Sequence, residues 1–87
     1  MILLDARKLR EKAAAHQYLK QALALPEYYG CNLDALYDCL TDLDSTEIRF
    51  VNLEEAAETY FTNVLSLFQE AQAENPGLCL HYDLEAK

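Results

Sequence analysis

Positive charge is scarce in this sequence. Seven lysines and arginines face fifteen aspartates and glutamates, a formal charge of −8. Nucleic acid and anionic membrane carry the same sign, so neither is an expected partner. A basic partner fits instead. Glycine is scarce too. Gly30 and Gly77 are the two in the chain, and they form no glycine-rich loop that could cradle a phosphate. The three cysteines, Cys31, Cys39 and Cys79, make no Cys-x-x-Cys and no His/Cys pair at zinc spacing. An odd count without a secretion signal implies reduced thiols. Cys31 and Cys39 would lie roughly 10 Å apart if a helix starts near Leu33, too far for a disulfide. No apolar run approaches the roughly 20 residues of a bilayer span. Ile2, Leu3 and Leu4 follow no basic leader and are too short a run for a signal peptide. The expected compartment is the cytoplasm.

What remains is ample for one core. Of the 87 residues, 52% are hydrophobic, which argues against disorder. Residues 1–87 read as a single domain, too short for a second core. Ile2, Leu3 and Leu4 read as a buried strand. Residues 5–10 read as a connection with Leu9 as its apolar anchor. Strong helix formers then run from Glu11 or Lys12, with Ala15, Leu19 and Ala22/Leu23 toward the core, until Pro26 ends the helix. Gly30 is expected to supply a positive-φ turn, and Asn32 to cap the next helix. Asp44, Ser45 and Thr46 form a turn. Residues 47–52 have strand character. Leu53 begins a short helical turn, and a longer helix follows from Thr59. On it Phe61, Val64, Leu65, Phe68, Ala71 and Gln72 share a face. Asn75, Pro76 and Gly77 stop that helix. Residues 78–82 read as a third strand, with a polar tail at 83–87. Strands linked through helices imply a parallel sheet. The expected fold is α/β: one two-layer domain, a three-stranded parallel sheet packed with helices.

The unusual stretch lies in the middle. Around the predicted helix beginning at Leu33, the leucines Leu33, Leu36, Leu40 and Leu43 fall on one arc, with Tyr37 at its edge. Asp34, Asp38, Thr41 and Asp42 fall opposite. Like charges one helical turn apart cost a few tenths of a kcal/mol per pair, about 0.2–0.5. An external partner accounts for such an arrangement better than stability does. Tyr28, Tyr29 and Tyr37 flank the acids. One or two of them could serve the core with the hydroxyl reaching water, but an acidic stripe bordered by tyrosine favours an interface.

An enzyme is not expected. His16 could be a catalytic base, yet no second catalytic group accompanies it, and a helix histidine partly buried in the core is the simpler reading. His81 sits on a strand far from it in sequence. The carboxylates form an exposed stripe without the opposing wall of a cleft. Asp34-x-x-x-Asp38 lacks the calcium-loop pattern. No metal and no cofactor are expected.

The run Leu23-Ala24-Leu25-Pro26-Glu27-Tyr28-Tyr29-Gly30, then Asn32-Leu33-Asp34-Ala35-Leu36, then Asp38-Cys39-Leu40-Thr41 resembles the barstar family. Its type member is the intracellular inhibitor of the secreted microbial ribonuclease barnase. His16 precedes the run at a matching distance, and Phe68-Gln69-Glu70-Ala71 resembles a segment of the family's last long helix. The resemblance implies a three-stranded parallel sheet and a loop–helix that enters a ribonuclease active site. It implies that Tyr28 covers the nuclease's catalytic histidine, and that Asn32, Asp34 and Thr41 make polar contacts. Asp38 would take the place of an RNA phosphate. Glu70 would add a contact from the long helix; by position alone it is a solvated surface glutamate. This chain departs from the pattern at Tyr37, where the family has tryptophan, at Cys31, and at Asp42-Leu43, which replace a glycine–tryptophan pair. The lost glycine removes a left-handed helix cap.

The expected activity is therefore stoichiometric inhibition of an extracellular-type, barnase-like ribonuclease through its basic active site. The inhibitor is expected to be a monomer when free. The partner surface comprises Tyr28, Asn32, Asp34, Tyr37, Asp38, Thr41, Asp42, Leu43 and Glu70. The alternative is a regulatory interaction module of the same fold that binds another basic protein.

Overall fold

Residues 2–27 and 29–82 are described by the computed structural model. Their elements follow in the order β1 (Ile2–Asp5), α1 (Lys12–Ala22), α2 (Leu33–Thr41), β2 (Thr46–Val51), α3 (Tyr60–Glu74) and β3 (Leu78–Tyr82). Two short 3-10 turns, Ala6–Leu9 and Leu53–Ala56, follow β1 and β2. The tail expected at residues 83–87 lies outside the described residues.

The three strands are parallel and lie in the order β1-β2-β3, an order the sequence left open. Leu4, Ile48, Phe50 and Leu78 turn to one side and are almost wholly buried, whereas Leu3, Glu47 and Cys79 between them are exposed. Period-2 alternation thus gives the sheet one core face. Against it pack Ala15 and Leu19 of α1, Leu36 and Leu40 of α2, and Phe61, Val64, Phe68 and Ala71 of α3. Phe50 is central, meeting Phe61 and Phe68 edge-on and Tyr82 in a stack. Gln72, expected on the core face of α3, is exposed. The buried stripe 61, 64, 68, 71 leaves it one residue off the contact.

Two turns form differently from the expectation, and both position α2. First, α1 ends ahead of Pro26 through its own backbone. The N–H of Leu25 donates to the Lys20 carbonyl at 2.9 Å and that of Ala24 to Gln21 at 3.3 Å. Ala24 takes φ 53° to permit this. This is the six-to-one and five-to-two pairing of a left-handed helix stop, with alanine where glycine is usual. Second, the positive-φ residue before α2 is Cys31, at φ 56°, and not Gly30. Gly30 serves close approach instead: a Cβ there would lie 3.1 Å from the Asn32 amide nitrogen and 3.7 Å from Ala35 Cβ.

Near the start of the chain, Asp5 gathers three elements. It accepts from the Arg7 backbone N–H at 3.0 Å and pairs with the Arg7 guanidinium at 2.9 Å. It also accepts from Asn52 Nδ2 at 3.1 Å. The Arg7 hydrogen bond is the main reason its carboxyl is held down at about 2.

Candidate functional site

The acidic helix is fixed from below and at both ends. Leu36 and Leu40 are fully buried beneath it, each contributing about 1.5–3 kcal/mol by burial. At its start the Asn32 side chain accepts from the Ala35 N–H at 2.8 Å, the cap read from sequence. At its end Asn75, just beyond α3, donates its amide to the carbonyls of Leu40 and Leu43 at 3.0 and 2.9 Å. The Asn75 side-chain oxygen Oδ1 accepts from the Gly77 N–H at 3.0 Å. One side chain therefore ties carbonyls in and just after the last turn of α2 to the turn that leads into β3. The sequence shows Asn75 only as part of a helix stop.

On this mount Asp34 and Asp38 are exposed. α3 runs alongside and brings Glu70 to them. Asp34, Tyr37 and Asp38 of α2, with Leu67 and Glu70 of α3, line one surface groove of ≈ 440 Å³. Glu70, promoted at first only by resemblance, thus shares a site with the α2 acids. Leu67 and Glu74 were missed by the sequence reading. They lie three residues before and four after Glu70, on the same side of α3. Tyr37 marks where the charges meet. Partial burial first, then the carboxylates of Glu74, Glu70 and Asp38, hold its hydroxyl above the usual range. The Cys39 thiol is likewise raised, by burial and then by Asp38 and Asp42. Cys31, Cys39 and Cys79 are free thiols.

The remaining predicted residues divide. Thr41 closes α2 and donates its hydroxyl to the Asp38 carbonyl at 3.0 Å. Asn32 lies beside Asp34 in an adjoining groove. Asp42 is exposed one helical turn past Asp38. It is the C-cap, at φ −96°, so no left-handed cap is needed at this position. With Leu43 it lines a different cavity of ≈ 200 Å³, against Leu23, Ala24, Leu25 and Pro26 at the end of α1. The structure does not bring Asp42 and Leu43 to the groove that holds Glu70. Tyr28 lies outside the described residues.

His16 lies under this surface rather than in it. It is wholly buried, more so than the partial burial read from sequence. Its Nδ1 pairs with the Tyr29 hydroxyl, and its Nε2 with that of Tyr60 at 2.8 Å. A neutral imidazole has one donor and one acceptor nitrogen, so it satisfies both hydroxyls. Burial, and then the charge of Lys12, hold its pKa below the usual 6.5. Burial pushes the Tyr29 and Tyr60 hydroxyls up. Tyr29 belongs to the loop before α2, so this cluster joins that loop to α1 and α3. No group of three or more potential metal ligands occurs among the described residues. No described helix is long and apolar enough to cross a membrane.

Fold and site together define a small two-layer α/β protein that presents carboxylates from two braced helices. The barstar family model, described as "Barstar (barnase inhibitor)", matches residues 1–85, and the chain belongs to that family. It is similar to the Bacillus subtilis (strain 168) protein named "Putative ribonuclease inhibitor YrdF", at 41% identity over 78 residues, 84% of this chain and 86% of that one.

Proposed function

We propose that this chain is a stoichiometric intracellular inhibitor of a barnase-like ribonuclease. The observation that carries the reading is the convergence of Asp34, Asp38 and Glu70, from two helices, on the groove beside Tyr37. A ribonuclease active site binds a polyanion and is cationic. A rigid set of carboxylates complements it and excludes RNA. Asp38 stands in for an RNA phosphate, Asp34 and Glu70 flank it, and Tyr37 supplies the aromatic contact. Asn32 and Thr41 add polar contacts at the two ends of α2. Complementary charge speeds association and makes it salt-sensitive, a rule drawn in part from this family's own complex. Family membership and the name of the B. subtilis relative support the same reading. The chain resides in the cytoplasm, a monomer when free, and shields the cell from a nuclease made for export.

The test is titration against a panel of small basic microbial ribonucleases at low salt. Loss of nuclease activity at a one-to-one ratio is expected for at least one of them. Full activity of all at stoichiometric inhibitor rejects the reading. A second reading follows from Asp42 and Leu43, which face the α1 side of α2. There they suit a regulatory module bound to a basic protein that is not a nuclease. Recovery of such a partner alone in a pull-down from the source cell favours that reading.

A further inference from the structure

A groove of ≈ 430 Å³ adjoins the acidic one and shares Asp34 with it. Asn32, Leu33, Tyr60 and Lys12 complete its lining. Its walls are held in place. Asn32 is bound to its helix cap at 2.8 Å. Tyr60 is tied to His16 through its hydroxyl and to the Arg10 carbonyl through its backbone N–H at 3.2 Å. Lys12 is exposed and closes a short cationic run, Arg7, Lys8, Arg10 and Lys12, that holds four of the seven basic residues. Arg7 is engaged by Asp5 in the one ion pair found among the described residues. Lys12 has no such partner there.

Helix physics does not account for Lys12. It is the first residue of α1, where the partial positive charge of the helix end favours an acid. No acid occupies that first turn, and Glu11 makes no capping hydrogen bond. A lysine bordering an acidic face also repels a purely cationic target. The arrangement becomes favourable when the target presents negative charge at this one point. We propose that the recognition surface extends across this groove onto α1, where Lys12 receives a carboxylate that the partner carries beside its cationic centre. The proposal rests on the inhibitor reading and adds a selection rule to it. Nucleases lacking an acidic residue at that border are rejected by Lys12, because like charges brought together at an interface oppose binding.

The experiment compares wild type, Lys12→Glu, Lys12→Arg and Lys20→Glu, now at physiological salt, against each ribonuclease in the panel that the wild type inhibits. Lys20 lies on the same helix roughly 12 Å further along its axis, beyond the screening length of about 8 Å at physiological salt. Lys12→Glu is favoured by the helix end, and circular dichroism confirms folding of every variant. Lys12→Glu is expected to weaken inhibition about tenfold or more, Lys12→Arg to stay within about twofold, and Lys20→Glu to leave inhibition unchanged or slightly stronger. Equal shifts for Lys12→Glu and Lys20→Glu overturn the proposal while leaving the inhibitor reading intact. Absence of inhibition by the wild type overturns both.

Discussion

Replacing His16 with leucine tests how far the surface depends on the polar cluster beneath it. The substitution keeps a buried apolar side chain and removes the partner of two hydroxyls. Tyr29 is 6% exposed, so its hydroxyl loses its partner with little access to water, a penalty of about 1–3 kcal/mol. Tyr60 is half-buried and can turn toward solvent, so it forfeits only a net hydrogen bond, about 0.5–1.5 kcal/mol. The expected loss is about 2–4 kcal/mol, a large part of the roughly 5–10 kcal/mol available to a domain of this size. Urea denaturation at pH 8 measures it directly. The pH dependence gives a second readout. His16 is harder to protonate when folded, because burial and then Lys12 hold its pKa below 6.5. The unfolded chain binds the proton more readily, so stability is full above 6.5 and falls as pH drops from that value toward the folded pKa. The leucine variant lacks this contribution. Asp5 acts in a separate window, its contribution lost only as pH falls from 3.8 through about 2. A destabilisation below about 0.5 kcal/mol, within the range of ordinary surface substitutions, refutes the reasoning. So does a slope below pH 6.5 that is identical in both proteins.

Three further outcomes follow. Asp38→Ala weakens ribonuclease inhibition by at least about 2 kcal/mol, the threshold for interface hot spots, a principle whose extreme example comes from this family. Glu47→Ala, on the outer face of the sheet, changes it by less than about 0.5 kcal/mol; equal effects in the same titration reject the groove as the contact. Ala24→Gly relieves the left-handed alanine and raises stability by about 0.5–1 kcal/mol, read as a higher urea midpoint; a lower midpoint contradicts the helix stop. Asn75→Ala removes the side-chain donor from the Leu43 carbonyl and leaves the Leu40 carbonyl with the Leu43 N–H at 3.3 Å. It lowers stability by about 1–3 kcal/mol and speeds amide exchange at the end of α2; an unchanged exchange pattern rejects the brace.

The sequence revealed α2 well because its signals are local. Asn32 caps, the leucines repeat at helical spacing, and the acids take the other side. Glu70 was invisible to such reasoning, since a glutamate opposite a helix's apolar stripe looks solvated until a second helix is laid beside it. Leu67 and Glu74 were hidden for the same reason. The surroundings of His16 were equally unreadable, because its tyrosines lie 13 and 44 residues away. Of the left-handed positions among the described residues, the two that flank the loop before α2 are Ala24 and Cys31. Neither residue type signals that conformation, so tertiary demands overrode local preference there. The second cavity that Asp42 and Leu43 line with the end of α1 was hidden too, because a helical wheel does not show what packs beside a helix.

The two hydrogen bonds from Asn75 to the end of α2 bear on how such proteins diverge. The buried leucines and Asn75, which set the direction of this helix, sit apart from the outward-facing acids, and of its supports only the Asn32 cap borders them. Mutation can rewrite those outward letters one at a time while the helix keeps its aim. A lineage can therefore follow a changing adversary through surface substitutions alone, without passing through unfolded intermediates.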